Sequence, residues 1–155
     1  MDLAKNLKIE SVSRLQPAPP LVLQPQDPVS RAVNLMQERR RGCVLVCVDR
    51  RLVGIFTERD LLKRVLGPGK PLTTPLSECM TASPVAVHAK EPVGQALRRM
   101  HEGGYRNLPV IDEAGQPVGT LSVKRIVHYL VEHFPSTVYN IAPDPSAVQK
   151  DRDGA

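Results

Sequence analysis

The chain has 155 residues, enough for one ordinary domain or two small fused units, and 41% of them are hydrophobic. With only 3% aromatics and no Trp, the core must be aliphatic, and base stacking on single-stranded nucleic acid lacks its platforms. The formal charge of +5 gives a mild affinity for anions without making a nucleic-acid binder.

The opening residues, MDLAKNLKIE, carry early charges and do not read as a signal peptide. No apolar run approaches the roughly 18 residues of a membrane helix, so no membrane partner is expected. The first predicted element is a short strand at 21–23, LVL. A helix follows, opened by the acid-Pro pair Asp27-Pro28, with Pro in the first turn, where it wastes no donor. Its apolar residues Val29, Ala32, Val33 and Met36 fall at i, i+3, i+4 and i+7, one face of a helix. The run RRR at 39–41 ends that helix, where cations favour the dipole, and reads as a solvated end. Strands follow at 43–48 (CVLVCV) and 52–56, joined by the turn DRR. A second helix is marked by Leu61, Leu62, Val65 and Leu66. The stretch LGPGKPLTTP breaks the pattern, which places a linker at 69–75.

The order then repeats. EPVGQALRRMHE at 91–102 lies over DPVSRAVNLMQE at 27–38 with an offset of 64, matching Pro28 to Pro92, Val29 to Val93, Ala32 to Ala96 and Met36 to Met100. Strands are predicted at 85–87, 108–111 and 118–121, with a turn at DEAGQ, and a last helix at Ile126, Val127, Leu130 and Val131. LVCVD (45–49) meets LPVID (108–112) after a one-residue slip, and Val53-Gly54 falls on Val118-Gly119. The expected organisation is repeat one at 8–68, the linker at 69–75, repeat two at 76–133, and a Pro-rich tail at 134–155. Each repeat runs strand–helix–strand–strand–helix. A unit of about 60 residues buries little surface alone, so the two copies are expected to pair through their sheets.

The segment GIFTERD (54–60) sets Thr57 and Asp60 three apart where a strand turns into a helix. Two readings stand side by side. In one, the pair is a capping box, the hydroxyl bonding an amide and the acid reaching back. In the other, the carboxylate, acceptor-only when ionised, receives the vicinal hydroxyls of a sugar, and the helix start faces phosphate. In the second copy the equivalent GTLSVKR keeps a hydroxyl at Ser122 but has Arg125 for the acid. A guanidinium has no acceptor to offer.

CMTASPVAV, EPVGQALRRM, YRNLPVID and above all GIFTERD, in order and in two copies, resemble the tandem CBS domain, or Bateman, module over roughly residues 8–133. The resemblance implies an α/β (α+β) fold of two CBS repeats packed sheet to sheet with pseudo-twofold symmetry. It implies clefts for AMP, ADP or ATP, with NAD or S-adenosylmethionine in the same class, a regulatory ligand rather than a cofactor. By position, the first site would take Thr57 and Asp60, with Ile55 on the base and Thr81, Ser83, Val85 and Ala86 facing them. Arg106 or Asn107 would reach phosphate. The second site, Leu21, Val22, Ser122 and Arg125, would be degenerate. The resemblance also implies a homodimer and an effector protein regulated by the ligand.

Other candidates carry less. His88, His101, His128 and His133 lack metal spacing. Cys43, Cys47 and Cys79 show no disulfide or zinc pattern, read as small hydrophobes, and fit a reducing cytoplasm. No nucleophile–base set is evident, so a non-enzyme is expected. The alternative reading is a structural or interaction module with vestigial clefts.

Overall fold

In a computed structural model of the chain, the described residues are Lys5 and 10–133, so the tail expected at 134–155 lies outside them. The elements are β1 (Val22–Leu23), α1 (Val29–Arg39), β2 (Cys43–Val48), β3 (Arg51–Thr57), α2 (Glu58–Asp60), β4 (Thr81–Ala82), β5 (Val87–His88), α3 (Val93–Gly103), β6 (Asn107–Ile111), β7 (Pro117–Ser122) and α4 (Val123–His133). They form two sheets, ordered β1-β2-β3-β4 and β5-β6-β7. In each, a parallel pair (β1 with β2, β5 with β6) adjoins an antiparallel hairpin (β2 with β3, β6 with β7). This is the mixed α/β fold expected of a doubled unit.

The apolar stripes do what their spacing predicts. Val29, Ala32 and Met36 of α1 and Val93, Ala96 and Met100 of α3 are all buried. Pro28 and Pro92 sit one position earlier than expected, as extended N-cap residues and not inside the first turn. The β2–β3 turn is the two-residue Asp49-Arg50, both at positive φ (50° and 66°). Such a turn suits the strand twist, although it favours Gly. The longer β6–β7 turn places Gly115 at φ 78°.

The strand register moves the slip. Val46 pairs with Gly54 and Val110 with Gly119, while β1 and β5 place Leu23 on Val46 and Val87 on Val110. The offset of 64 therefore holds from the strand starts through Val46 and Val110. Both hairpins carry the same bulge just after Val46 and Val110, and the one-residue change comes beyond it, in the longer β6–β7 turn: Cys47 and Ile111 are still 64 apart, whereas their partners Leu52 and Pro117 are 65 apart. The helix after β3 also departs from expectation: beyond α2 it winds as a π-helix over Leu61–Leu66.

The largest difference is in who packs with whom. Val12 and Leu15, in the first copy's leading segment, are buried with Val93, Ala96, Leu108, Leu121 and Ile126 of the second copy. Leu76 and Cys79, which lead into the second copy, are buried with Val29, Val44, Phe56 and Val65 of the first. Ala18 exchanges both backbone bonds with Thr120 of β7 (2.9 and 3.0 Å), and β4 pairs with β3. The copies thus trade leading segments. The motif glycines sit at these crossings. A Cβ on Gly119 would lie 2.8 Å from Pro17 Cβ, and one on Gly54 would lie 2.4 Å from Met80 Sδ.

Candidate functional site

Two equivalent corners arise where β3 runs into α2 and where β7 runs into α4. In both, the first amide of the helix is tied to the neighbouring strand entry: Glu58 N–H to the Gly42 carbonyl (3.1 Å), Val123 N–H to the Arg106 carbonyl (3.0 Å). In both, a hydroxyl caps the third amide: Thr57 Oγ1 accepts from Asp60 N–H (3.2 Å), Ser122 Oγ from Arg125 N–H (3.1 Å).

At the first corner the capping reading is realised in full. Asp60 is 6% exposed. Its Oδ2 accepts from the Thr57 backbone N–H (3.0 Å) and the Thr57 hydroxyl (3.1 Å). Its Oδ1 accepts from the hydroxyl of Thr81 (3.2 Å), which belongs to the other copy, and lies 3.5 Å from Arg64 Nε. Arg64 Nη1 also donates to the Met80 carbonyl at 2.6 Å. Three hydrogen bonds and one ion pair thus engage both carboxylate oxygens from inside the protein. One oxygen is spent on the cap. The other faces the junction between copies.

The second corner has neither plug nor acid. In the strand register Thr81 lies opposite Ile55 and Ala18 lies opposite Thr120, the residues just two before the capping Thr57 and Ser122. Ala18 is therefore the counterpart of Thr81, as Arg125 is of Asp60. The corner opens on a cleft of about 590 Å³ whose lining includes Ala18, Arg40, Arg41, Gly42, Cys43, Arg106, Asn107, Thr120, Ser122, Lys124, Arg125 and His128. Cys43, on that wall, is a neutral thiol near pH 7, because burial pushes its pKa to about 11 despite the opposing charge of Arg41.

The structure gathers Ile55, Thr57, Asp60 and Thr81 at one corner. Ile55 is buried on the sheet face that also holds Cys43 and Leu45. Ser83 is the next residue but one along, at φ 48°, its N–H bonded to the Val53 carbonyl (3.0 Å). Val85 is exposed, and the Ala86 carbonyl is held by Arg99 (2.8 Å). Arg106 and Asn107 line the cleft with Ser122 and Arg125, and the Asn107 amide also lies beside Gly42, whose carbonyl holds the first amide of α2 at the first corner. Leu21 and Val22 belong to the first sheet, the Leu21 carbonyl bonding Leu45 N–H, and the cleft takes Ala18 from that segment.

Sequence reasoning missed Arg64, whose spacing from Asp60 (i, i+4) was the available signal, and read Arg40 and Arg41 only as a helix end. Arg40 does terminate α1, at φ 53° with its N–H on the Gln37 carbonyl, yet it also lines the cleft. Among the described residues no group of three His, Cys, Asp or Glu is placed to hold a metal, and no helix is long and apolar enough to cross a membrane.

The CBS domain family model matches residues 12–67 and 76–132. CBS domain-containing protein CBSCBSPB1 of Arabidopsis thaliana is 35% identical over 112 residues, which cover 72% of this chain and 21% of that protein. The chain spans about a fifth of the length of the first curated relatives it matches. Among solved structures, an uncharacterized conserved protein from Pyrococcus horikoshii superposes with TM-score 0.73 at 27% identity, over 83% of this chain and 94% of that one. CBSX2 in complex with AMP superposes with TM-score 0.67 at 25% identity, over 79% and 96%.

Proposed function

The chain belongs to the CBS domain family, and from that membership we propose that it is a non-catalytic regulatory module taking an adenosine-containing ligand between its two copies. AMP, ADP or ATP is the favoured class, with NAD and S-adenosylmethionine as further members. The observation that carries this reading is the division of labour in Asp60. Oδ2 is committed to the helix cap, while Oδ1 receives a hydroxyl, that of Thr81, from the opposite copy. A ribose hydroxyl is the same kind of donor. The complex of CBSX2 with AMP supports a ligand of this class in such a fold.

In this proposal Thr57, Asp60 and Thr81 form the sugar end of the site, with Ile55 beneath the base. Occupancy is relayed to an effector protein. Exposed Leu62 and Val127, at matching places in the two copies, together with exposed Leu66 and Val123 on the same two helical segments, support pairing into a homodimer through these helices. Three buried, free cysteines suit a reducing cytoplasm.

A second reading also has an observation behind it. Because Asp60 is satisfied by internal partners, the corner is stable as an unliganded cap, as an interaction module would require. Thermal denaturation with AMP, ADP, ATP, NAD and S-adenosylmethionine separates the two. A ligand at a hundred times its Kd stabilises by about 2.7 kcal/mol, a Tm rise of roughly 5–10 °C for a chain of this size. A rise with AMP that disappears in Asp60→Asn supports the sensor. No rise with any of the five leaves the interaction module.

A further inference from the structure

A second hollow, of about 510 Å³, lies beside the cleft, between the 3-10 turn Val12–Leu15 and one face of α4. It shares Arg125 and His128 with the cleft but differs in composition. Two arginines, Arg14 and Arg125, are matched by two carboxylates, Glu10 and Glu132, whereas no Asp or Glu lines the cleft. The charges are also set out in order. The leading segment runs back along α4: Ala18 is bonded to Thr120, just ahead of that helix, and Glu10 lies near Tyr129. Burial and then the charge of Glu10 push the Tyr129 phenol up, with Arg14 opposing. Tyr129 stands about one turn beyond Arg125, and Glu132 about a turn further. One end of the hollow is thus cationic and the other anionic.

The two ends also differ in their partners. Arg125 is half-buried, and among the described residues its guanidinium has neither an ion pair nor a hydrogen bond. Only its backbone N–H is engaged, by Ser122. At the other end Arg14 approaches Glu10 at 3.5 Å and His128 approaches Glu132 at 2.9 Å. Both are solvent-facing pairs of the kind that contribute little and exchange easily. Between the ends, the rings of Tyr129 and His133 stack with centroids 4.1 Å apart, and Ser13 and Gln16 bring a hydroxyl and an amide.

We propose that this hollow binds a short peptide of two or three residues by its free ends, the carboxylate on Arg125 and the ammonium at Glu10 and Glu132. Two carboxylates in the lining repel a polyanion, and the balance of charge suits a ligand carrying one charge of each sign. The planar fork of Arg125 matches a carboxylate, and the acceptor-only carboxylates match an ammonium. Spacing then sets the length. At 1.5 Å per residue, Tyr129 and Glu132 lie about 6 and 10 Å along α4 from Arg125. An extended chain covers roughly 3.3–3.6 Å per residue, so two or three residues span that distance. A single amino acid, with both charges on one carbon, does not. Ser13 and Gln16 can each donate and accept, as the intervening peptide group requires.

Calorimetric titration of the full chain tests this with alanine, dialanine, trialanine, N-acetyl-trialanine and trialanine amide. None of these contains a nucleoside, so the result is independent of the Asp60 corner and of the sensor reading built on it. Dialanine or trialanine should bind at least about tenfold more tightly than alanine, and each capped form should be weaker than trialanine by about tenfold. Arg125→Gln should bind trialanine and its amide alike while still preferring a free amine. The double variant Glu10→Gln/Glu132→Gln should show the reverse, indifference to acetylation with the carboxylate preference kept. The absence of any binding heat from trialanine at millimolar concentration overturns the proposal. So do capped peptides that bind the wild-type chain as tightly as the free one, alanine that equals the longer peptides, or variants that keep the wild-type discrimination at both ends.

Discussion

If the Thr81 hydroxyl is the internal stand-in for a ribose hydroxyl, removing it should loosen the empty protein and tighten the complex. Thr81→Val is the suitable change. It keeps the β-branched shape in β4, where Thr81 pairs with Ile55, and deletes only the donor to Asp60 Oδ1. A hydrogen bond to a charged group contributes roughly 1.5–3 kcal/mol. This one is 3.2 Å long and Arg64 remains at 3.5 Å, so the lower end applies, about 1.5 kcal/mol. The unliganded Tm should fall by roughly 3–6 °C. In the wild type an incoming hydroxyl must displace Thr81 and recovers only the difference. In the variant it meets a bare acceptor, and AMP should bind up to about tenfold more tightly. Scanning calorimetry reads the first effect and titration calorimetry the second, with Thr81→Ser as the control that keeps the donor and the wild-type affinity. A cooperatively folded Thr81→Val protein that binds AMP no better than the wild type, or worse, refutes the reasoning.

Two further outcomes concern the fold. Gly119→Ala sets a Cβ 2.8 Å from Pro17 Cβ and 3.2 Å from the Ala18 carbonyl, neither of which can swing aside, so it should destabilise by about 1–3 kcal/mol in urea titrations. Gly54→Ala should cost less, because its obstacle is the flexible side chain of Met80. Cys43 keeps its proton to about pH 11 in the folded state against 9.0 when unperturbed. Its contribution is therefore complete below pH 9 and lost as pH rises to 11, up to about 3 kcal/mol. Urea midpoints measured at pH 8 and pH 10.5 should drop further for the wild type than for Cys43→Ala, and equal drops would contradict this.

The elements legible in the sequence are those whose burial is decided within one copy. The unbroken CVLVCV could only be a strand buried on both faces, and the spacing of Val29, Ala32 and Met36 fixes a helix face whatever lies beneath it. What stayed hidden depends on partners in the other copy. Val12 and Leu15 show no periodicity long enough to announce a buried turn, and nothing in their neighbourhood says that their core lies some eighty residues away. The two-residue strand β4 is too short to carry a pattern and exists because β3 offers it an edge. The same limit applies at the site. Thr57-x-x-Asp60 is legible as a pair of alternatives, and the structure fills the cap without emptying the other possibility. Arg40 and Arg41 look like any helix end until β6 and α4 bring Arg106 and Arg125 up to them.

The exchange of leading segments bears directly on how such a module could report occupancy. Each corner of one copy is closed, or left open, by a residue that the other copy supplies: Thr81 over Asp60, Ala18 beside Ser122. Thr81 does not stand alone. Met80, adjoining it, gives its carbonyl to Arg64, and Leu76 and Cys79 just before it are fully buried in the first core. Likewise Ala18 is locked to Thr120 and follows Leu15, which is buried in the second core. A ligand that displaces Thr81 therefore acts on a strand ending whose other end is anchored inside the opposite core, and the copies cannot accommodate it independently. A ligand shifts an equilibrium only by its differential affinity for the two arrangements. In the proposed sensor the difference would have a physical seat, the bond between Thr81 and Asp60 that a ligand hydroxyl would replace. The second corner, with alanine and arginine at the same places, has no such bond to exchange. In the proposed sensor, switching would therefore rest with the first corner.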